Sequence, residues 1–169
     1  MKKKITVNDK MQSNYVYYLT EKPGKNFHPD FKPEITPAAM LECGVFEGKY
    51  MNDCFNEFPA EWFEKAKIVT SESSANPKLN LFKIKSRMSL AVWRSKGWIY
   101  GNDPRGWFQW YCRYWMGRRD PEVDIKQIKR WKSFKRHVSQ VKKNCEHTDI
   151  HCRPKQRQAL LQWAYNPFP

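Results

Sequence analysis

The chain has few glycines and no long apolar run, and these absences exclude several kinds of protein. Only 7 of its 169 residues are Gly, so a Gly-rich loop that cradles phosphate is not expected. No apolar run approaches the ~20 residues that a membrane-spanning helix needs. The opening MKKKITVNDK is charged and no apolar stretch follows it, unlike a secretory signal. We therefore predict no membrane partner and an intracellular location, in the cytoplasm or the nucleus.

Acidic residues are scarce relative to basic ones. The chain has 31 Lys and Arg against 17 Asp and Glu, which gives a formal net charge of +14. An excess of this size indicates a polyanionic partner, with nucleic acid first. The plainer alternative is a basic protein that has no such partner.

Helical signals dominate the sequence and predict a mainly α fold. We expect about five or six helices around a Trp-rich core, with little or no sheet. Residues 1–33 are interrupted by Pro and Gly and are predicted to form an extended N-terminal arm, and residues 34–169 a single helical domain. Capping residues and apolar periodicity place the main helices at 37–43, 59–67, 90–96, 104–116, 121–143 and 154–165.

The most aromatic segment is GWFQWYCRYWMGRR, residues 106–119. Rings that stack and guanidinium groups that bind phosphate are what nucleic-acid binding requires. Rings at helical spacing more often form a core, so we expect a central buried helix whose arginines contact phosphate. The candidate contacts in and beside this segment are Arg105, Trp107, Trp110, Arg113, Arg118 and Arg119.

Residues 121–143 have the clearest helical periodicity, with one core stripe and one continuous basic face. Between Asp124 and Glu146 there are eight Lys or Arg residues and no acid. Like charges at this density repel one another, and a phosphate backbone would relieve the repulsion. The alternative is a solvated helix face. The candidate phosphate contacts are Lys126, Lys129, Arg130, Lys132, Lys135, Arg136, Lys142 and Lys143.

A helix followed by a polar turn and an aromatic unit, residues 89–111, resembles the start of a helix-turn-helix or winged-helix DNA-binding domain. Regulators of the mercury-resistance type share its pattern of Gly, apolar residue and Arg. The resemblance is carried by Trp93, Gly97, Ile99, Arg105 and Gly106, and it implies a helix-turn-helix-like unit and DNA rather than RNA as the partner.

Five cysteines in a Lys-rich chain indicate reduced thiols. Cys145, His147, His151 and Cys152 are candidate zinc ligands, but their spacing is not that of a common zinc finger. We therefore predict a loop with buried thiols and no cofactor, with zinc or a disulfide as alternatives. The other cysteines are predicted to lie in the core: Cys43, Cys54 and Cys112.

No catalytic motif stands out, so a binding protein is favoured over an enzyme. The candidate catalytic residues are Asp53, Glu57 and Asp103, of which the first two could share a helix face as paired carboxylates do. They would serve a nuclease or a glycosylase-like enzyme. A third hypothesis is an adaptor whose basic face meets an acidic protein.

Three strings are similar to those of a family of small basic proteins without an assigned activity. They are GVFEGKY at 44–50, GWIYGNDPRGWFQWYCRYWMGRR at 97–119 and RQALLQWAY at 157–165. The strings are long and aromatic, and they cover only part of the chain. The resemblance implies no activity, cofactor or site residue.

Overall fold

The fold is mainly α, with a Trp-rich core and one small sheet. A computed structural model describes residues 2–169, and all elements below belong to this range. The strands are β1 (Lys3–Val7) and β2 (Tyr15–Leu19), and the helices are α1 (Pro37–Cys43), α2 (Leu90–Ser95), α3 (Trp107–Met116), α4 (Pro121–Ser133), α5 (Lys135–Asn144) and α6 (Pro154–Gln162). None of these helices is long and apolar enough to cross a membrane.

The N-terminal segment begins with a β-hairpin where we predicted an extended arm. β1 and β2 pair antiparallel, with Lys3 opposite Leu19. Alternate side chains point to opposite faces of a strand, so Tyr17 and Leu19 are buried while Lys4 is exposed. The hairpin joins the helical part through a bridge between Leu19 and Arg118. We predicted little or no sheet, and the described chain has one small sheet of two strands.

Local capping signals predicted α1 correctly. The Thr36 hydroxyl accepts a hydrogen bond from the Ala39 backbone N–H at 3.2 Å, and Pro37 occupies the first turn. Gly44, with φ of +104°, ends the helix. A carbon atom added at this glycine would lie 2.0 Å from the Leu79 carbonyl oxygen, so both its conformation and its surroundings exclude a side chain.

The helix predicted at 59–67 is wrong, because only a short 3-10 turn, Ala60–Trp62, forms there. Backbone donors after this turn bind partners from elsewhere in the chain. The Lys67 N–H donates to the Leu41 carbonyl at 3.0 Å, at the end of α1. At Lys67 a non-local hydrogen bond thus takes the place of the helical one that was predicted.

α3 is the centre of the core, as its aromatic composition predicted. Every residue from Trp107 to Tyr114 is buried. Phe31 packs edge-on against Trp110 and, from the other side of the core, against Trp131, with ring centroids 5.3 Å and 4.9 Å away. Edge-to-face contacts between rings at such distances are favourable. The end of the predicted arm is therefore part of the core.

The predicted helix over 121–143 is two helices, α4 and α5, which meet at Phe134. The Phe134 N–H donates to the Trp131 carbonyl at 3.1 Å, a tighter turn than an α-helix makes. Its ring stacks on Trp163, just beyond α6, with ring centroids 4.0 Å apart. This stacking fixes the α4–α5 junction against the end of α6.

Candidate nucleic-acid interface

The arginines of the aromatic segment lie inside the protein, in ion pairs with carboxylates. The Arg113 side chain is fully buried and pairs with Glu57 and with Asp103, the latter at 2.9 Å from Nη1 to Oδ1. Arg118 donates from both of its Nη atoms to Asp103, at 2.7 and 2.6 Å. Burial lowers the pKa of the Arg118 guanidinium, but the hydrogen bonds to Asp103 and the charge of Asp103, with the contributions of Tyr15, together outweigh it, and the pKa is raised.

Arg105 is held in the same manner at the edge of this cluster. Its guanidinium donates to Asp9 at 3.1 Å and to Asp53 at 3.0 Å. Burial raises the pKa of Asp9, but hydrogen bonds from Arg105 and from two backbone N–H groups outweigh it, and the pKa is lowered. The structure thus gives Arg105, Arg113 and Arg118 internal carboxylate partners, and a phosphate role for them is not supported.

Arg119 is half-buried and also engaged within the protein. It donates to the carbonyls of Tyr114 at 2.7 Å and Lys25 at 2.9 Å, and its guanidinium lies 3.8 Å from the centre of the Tyr114 ring. The carbonyls at the end of α3 attract a cation at this position. Arg119 therefore caps the carbonyl end of α3 and connects this helix to the segment after β2.

The candidate stacking rings of α3 are core residues. Trp107 is 1% exposed and Trp110 is 0% exposed. The Trp110 Nε1 atom donates to Asp124 Oδ1 at 2.8 Å, which ties α3 to the start of α4. Burial raises the pKa of Asp124, and the hydrogen bond from Trp110 opposes this shift. No face of either indole is open to a base.

The geometry of α2 and α3 does not support a helix-turn-helix-like unit. A recognition helix must offer a surface to the major groove. α3 offers none, because the residues Trp107 to Tyr114 are all enclosed. The aromatic and basic residues that suggested a recognition helix belong instead to the core.

The three candidate catalytic acids do not form a carboxylate pair on a helix face. Asp53 binds Arg105, Asp103 binds two arginines, and Glu57 binds Arg113 and accepts from the Tyr17 hydroxyl at 2.8 Å. Asp53 precedes the 3-10 turn Phe55–Glu57, which contains Glu57. Each acid thus has a guanidinium partner that accounts for its position.

The Cys and His cluster is a disulfide-closed turn between α5 and α6. The prediction of free thiols in this loop is wrong, because Cys145 and Cys152 form a disulfide, which was the alternative to it. Their sulfur atoms are therefore not metal ligands. His147 and His151 are exposed. Within residues 2–169, no three His, Cys, Asp or Glu side chains lie close enough together to hold a metal ion.

The basic side chains of α4 and α5 do lie outside. Seven of the eight candidates are exposed, and we call them the basic face: Lys126, Lys129, Lys132, Lys135, Arg136, Lys142 and Lys143. Within residues 2–169, only Lys132 has a carboxylate partner, Asp30, at 3.4 Å. More than half of each of these two side chains is exposed, so the pair is weak.

The eighth candidate, Arg130, lies half-buried in a groove that the sequence did not reveal. We call it the Arg130 groove. It has a volume of about 350 Å³ and lies between the segment 86–98, the α4–α5 junction and α6. No Asp or Glu lines the groove. Its walls carry four cations, Arg87, Arg130, Arg136 and Lys155, and several rings, among them Trp93, Trp98, Phe134 and Trp163. These residues come from distant parts of the chain, so no local pattern could have indicated them.

Comparison of the chain with protein-family models, with curated proteins and with solved structures finds no match. Its function must therefore be inferred from the geometry of its own residues. Two features point outward to a ligand, namely the basic face and the Arg130 groove. Both are cationic, and they share Arg136.

Proposed function

We propose that this protein binds nucleic acid, with phosphates along the basic face of α4 and α5. The observation that carries the proposal is a set of seven exposed cations on two consecutive helices, of which only one forms an ion pair within residues 2–169. Residues 125–145 contain no Asp or Glu, and six of the seven cations on the face form no ion pair within residues 2–169. Apart from Lys132, these cations thus form no ion pair with their own helices or with the rest of the described chain.

A phosphate backbone is the partner whose chemistry suits this surface. Lys and Arg side chains that neutralise phosphates release condensed counterions, and this release drives binding. Lys126 and Lys129 are three residues apart on α4, while Lys142 and Lys143 lie near the end of α5. Cations thus extend along both helices, which suits an extended polyanion better than a single small anion.

The salt dependence of binding tests the proposal. A fluorescein-labelled DNA or RNA oligonucleotide is titrated with the protein at several salt concentrations, and affinity is followed by fluorescence anisotropy. If about six cations contact phosphates, the plot of log K against log salt has a slope of about −5 for a duplex and about −4 for a single strand. A slope near zero would contradict the proposal.

A charge-matched pair of variants locates the contact. Replacing Lys126, Lys129 and Lys143 with Gln removes three positive charges from the basic face and should make the slope shallower by about 2 to 3. The control replaces Lys2, Lys3 and Lys4, which are exposed at the start of the hairpin, and it changes net charge equally. Equal effects of the two triple variants would show that net charge, not the face, determines binding. Competition by polyglutamate but not by nucleic acid would instead favour the adaptor hypothesis.

A further inference from the structure

The Arg130 guanidinium differs from those of Arg105, Arg113 and Arg118 because it has no carboxylate partner. Buried Arg157 also lacks one, but its three guanidinium nitrogens all donate to backbone carbonyls. The Arg130 Nη1 atom donates to the Trp98 carbonyl at 3.0 Å. The guanidinium carbon lies 5.0 Å from the centre of the Trp98 ring and 5.1 Å from that of Trp163. Burial lowers the pKa of Arg130, and no acid offsets the effect. A half-buried cation with spare donors is a site at which an anion is stabilised.

Other cations surround the same groove. Arg136 and Lys155 are exposed at its rim, and the Arg136 guanidinium lies 5.7 Å from the centre of the Phe134 ring. Arg87 also lines it, but its Nε atom is paired with the buried Glu47 at 3.0 Å. Three groove cations are thus without a carboxylate partner in the described part of the chain, and guanidinium groups bind phosphate oxygens in a bidentate manner.

Two rings of the groove, Phe134 and Trp163, are held in place by stacking. Phe134 and Trp163 are stacked at an interplanar angle of 15°, and Trp163 packs in turn on the buried Trp107, with ring centroids 4.6 Å apart. Trp98 and Phe134 are only partly buried, so part of each remains accessible from the groove. A rigid ring loses little conformational entropy on binding, which makes it a good stacking partner.

Size and chemistry together select the ligand. A volume of about 350 Å³ falls within the range of roughly 300–1,000 Å³ typical of small-ligand pockets. Rings beside unpaired guanidinium groups match a planar base joined to a phosphate. A base within a duplex is stacked on its neighbours and cannot offer its face, whereas an unpaired base can.

We propose that the Arg130 groove binds an unpaired nucleotide, with its base against Trp98 or Phe134 and its phosphate on Arg130 and Arg136. This inference rests on the proposed function, because Arg136 belongs to both the basic face and the groove. A strand that follows the face therefore reaches the groove at the α4–α5 junction. The consequence is a preference for single-stranded over duplex nucleic acid.

Binding of an oligothymidine and of a duplex of equal length, measured by anisotropy at one salt concentration, tests the preference. We expect the single strand to bind about tenfold more tightly or better. Trp98→Ala should weaken single-strand binding about 5- to 150-fold, and Arg130→Gln should weaken it at least about tenfold. Both should leave duplex binding within about twofold, because in this proposal only an unpaired nucleotide enters the groove and reaches Trp98 and Arg130.

Matched controls come from the basic face and from the hairpin. Lys129→Gln removes one charge next to Arg130, and Tyr18→Ala removes a ring that is 49% exposed on the hairpin. Each should change single-strand binding less than its groove counterpart. A second measurement needs no variant: an oligonucleotide containing 5-bromouracil is crosslinked to the unmodified protein by light, and mass spectrometry should place the crosslink on Trp98 or Phe134.

The outcomes separate the two proposals. No salt-dependent binding to any nucleic acid overturns both. Equal binding of single strand and duplex, groove variants that behave like their controls, or crosslinks confined to residues outside the groove overturn the groove proposal and leave the basic face intact. Loss of single-strand preference in Trp98→Ala, with restoration by Trp98→Tyr, supports a stacking role.

Discussion

Replacing Asp103 with Asn should destabilise the protein more than almost any other single conservative change. Asp103 is fully buried and accepts three hydrogen bonds from Arg113 and Arg118, at 2.6 to 2.9 Å. Asn has nearly the same shape but no charge, and its amide group would face guanidinium donors. The substitution leaves positive charge uncompensated in the interior. Removing one partner of a buried ion pair in this way costs much more stability than replacing both partners.

The magnitude follows from burial. Removing one partner of a buried pair costs about 3–5 kcal/mol, against a total stability of about 5–15 kcal/mol for a typical domain. For a chain of this size, each kcal/mol lowers Tm by about 2–4 °C, so we expect a fall of roughly 6–20 °C. Thermal unfolding followed by circular dichroism, together with urea titration, measures both quantities.

The control is Asp30→Asn, which makes the same chemical change at the surface. Asp30 pairs with Lys132 at 3.4 Å, and the two side chains are 58% and 55% exposed. Such a pair contributes at most about 1 kcal/mol, hence a shift below about 4 °C. If Asp103→Asn melts within error of Asp30→Asn, the buried network does not hold the fold together as inferred here.

Two further predictions concern reactivity and backbone conformation. Burial raises the pKa of the Cys54 thiol to about 12. Iodoacetamide should therefore modify the half-buried Cys43 before Cys54 in the folded protein. Equal rates of modification, measured by mass spectrometry, would show that Cys54 is accessible. Gly117 has φ of +121°, and a Cβ there would lie 2.1 Å from the Glu21 carbonyl oxygen. Gly117→Ala should therefore cost more than about 1–3 kcal/mol from backbone strain alone. The control is Gly97→Ala, because Gly97 has φ of +69° but a Cβ added there would meet nothing within 4 Å. Only the backbone strain applies at Gly97, so a similar loss of stability in both variants would refute the steric argument.

The sequence predicted those elements whose cause is local. The cap at Thr36 and the proline after it define the start of α1, and the rings of α3 define the core. The hairpin was missed because seven residues, Asn8 to Asn14, connect its strands, and no short turn motif marks a loop of that length. The helix predicted at 59–67 is wrong because the segment makes only a 3-10 turn, and the Lys67 N–H binds the distant Leu41 carbonyl.

The candidate site was also predicted only where its cause is local in the sequence. A charge pattern along one helix is visible in the sequence, so the basic face could be found. Which arginines are neutralised depends on acids far away in the chain: Asp9 and Asp53 reach Arg105 from 96 and 52 residues away. Only the folded chain shows that Arg105 is paired and Arg130 is not.

The buried ion pairs also determine how the molecule behaves as a colloid. Because Arg105, Arg113 and Arg118 are balanced by neighbouring carboxylates, most of the formal charge of +14 resides on the outside. Copies of the protein should repel one another strongly in dilute buffer and adhere to any polyanionic matrix. Heparin resin should retain it until the ionic strength is high, and added polyphosphate should raise its melting temperature by relieving self-repulsion.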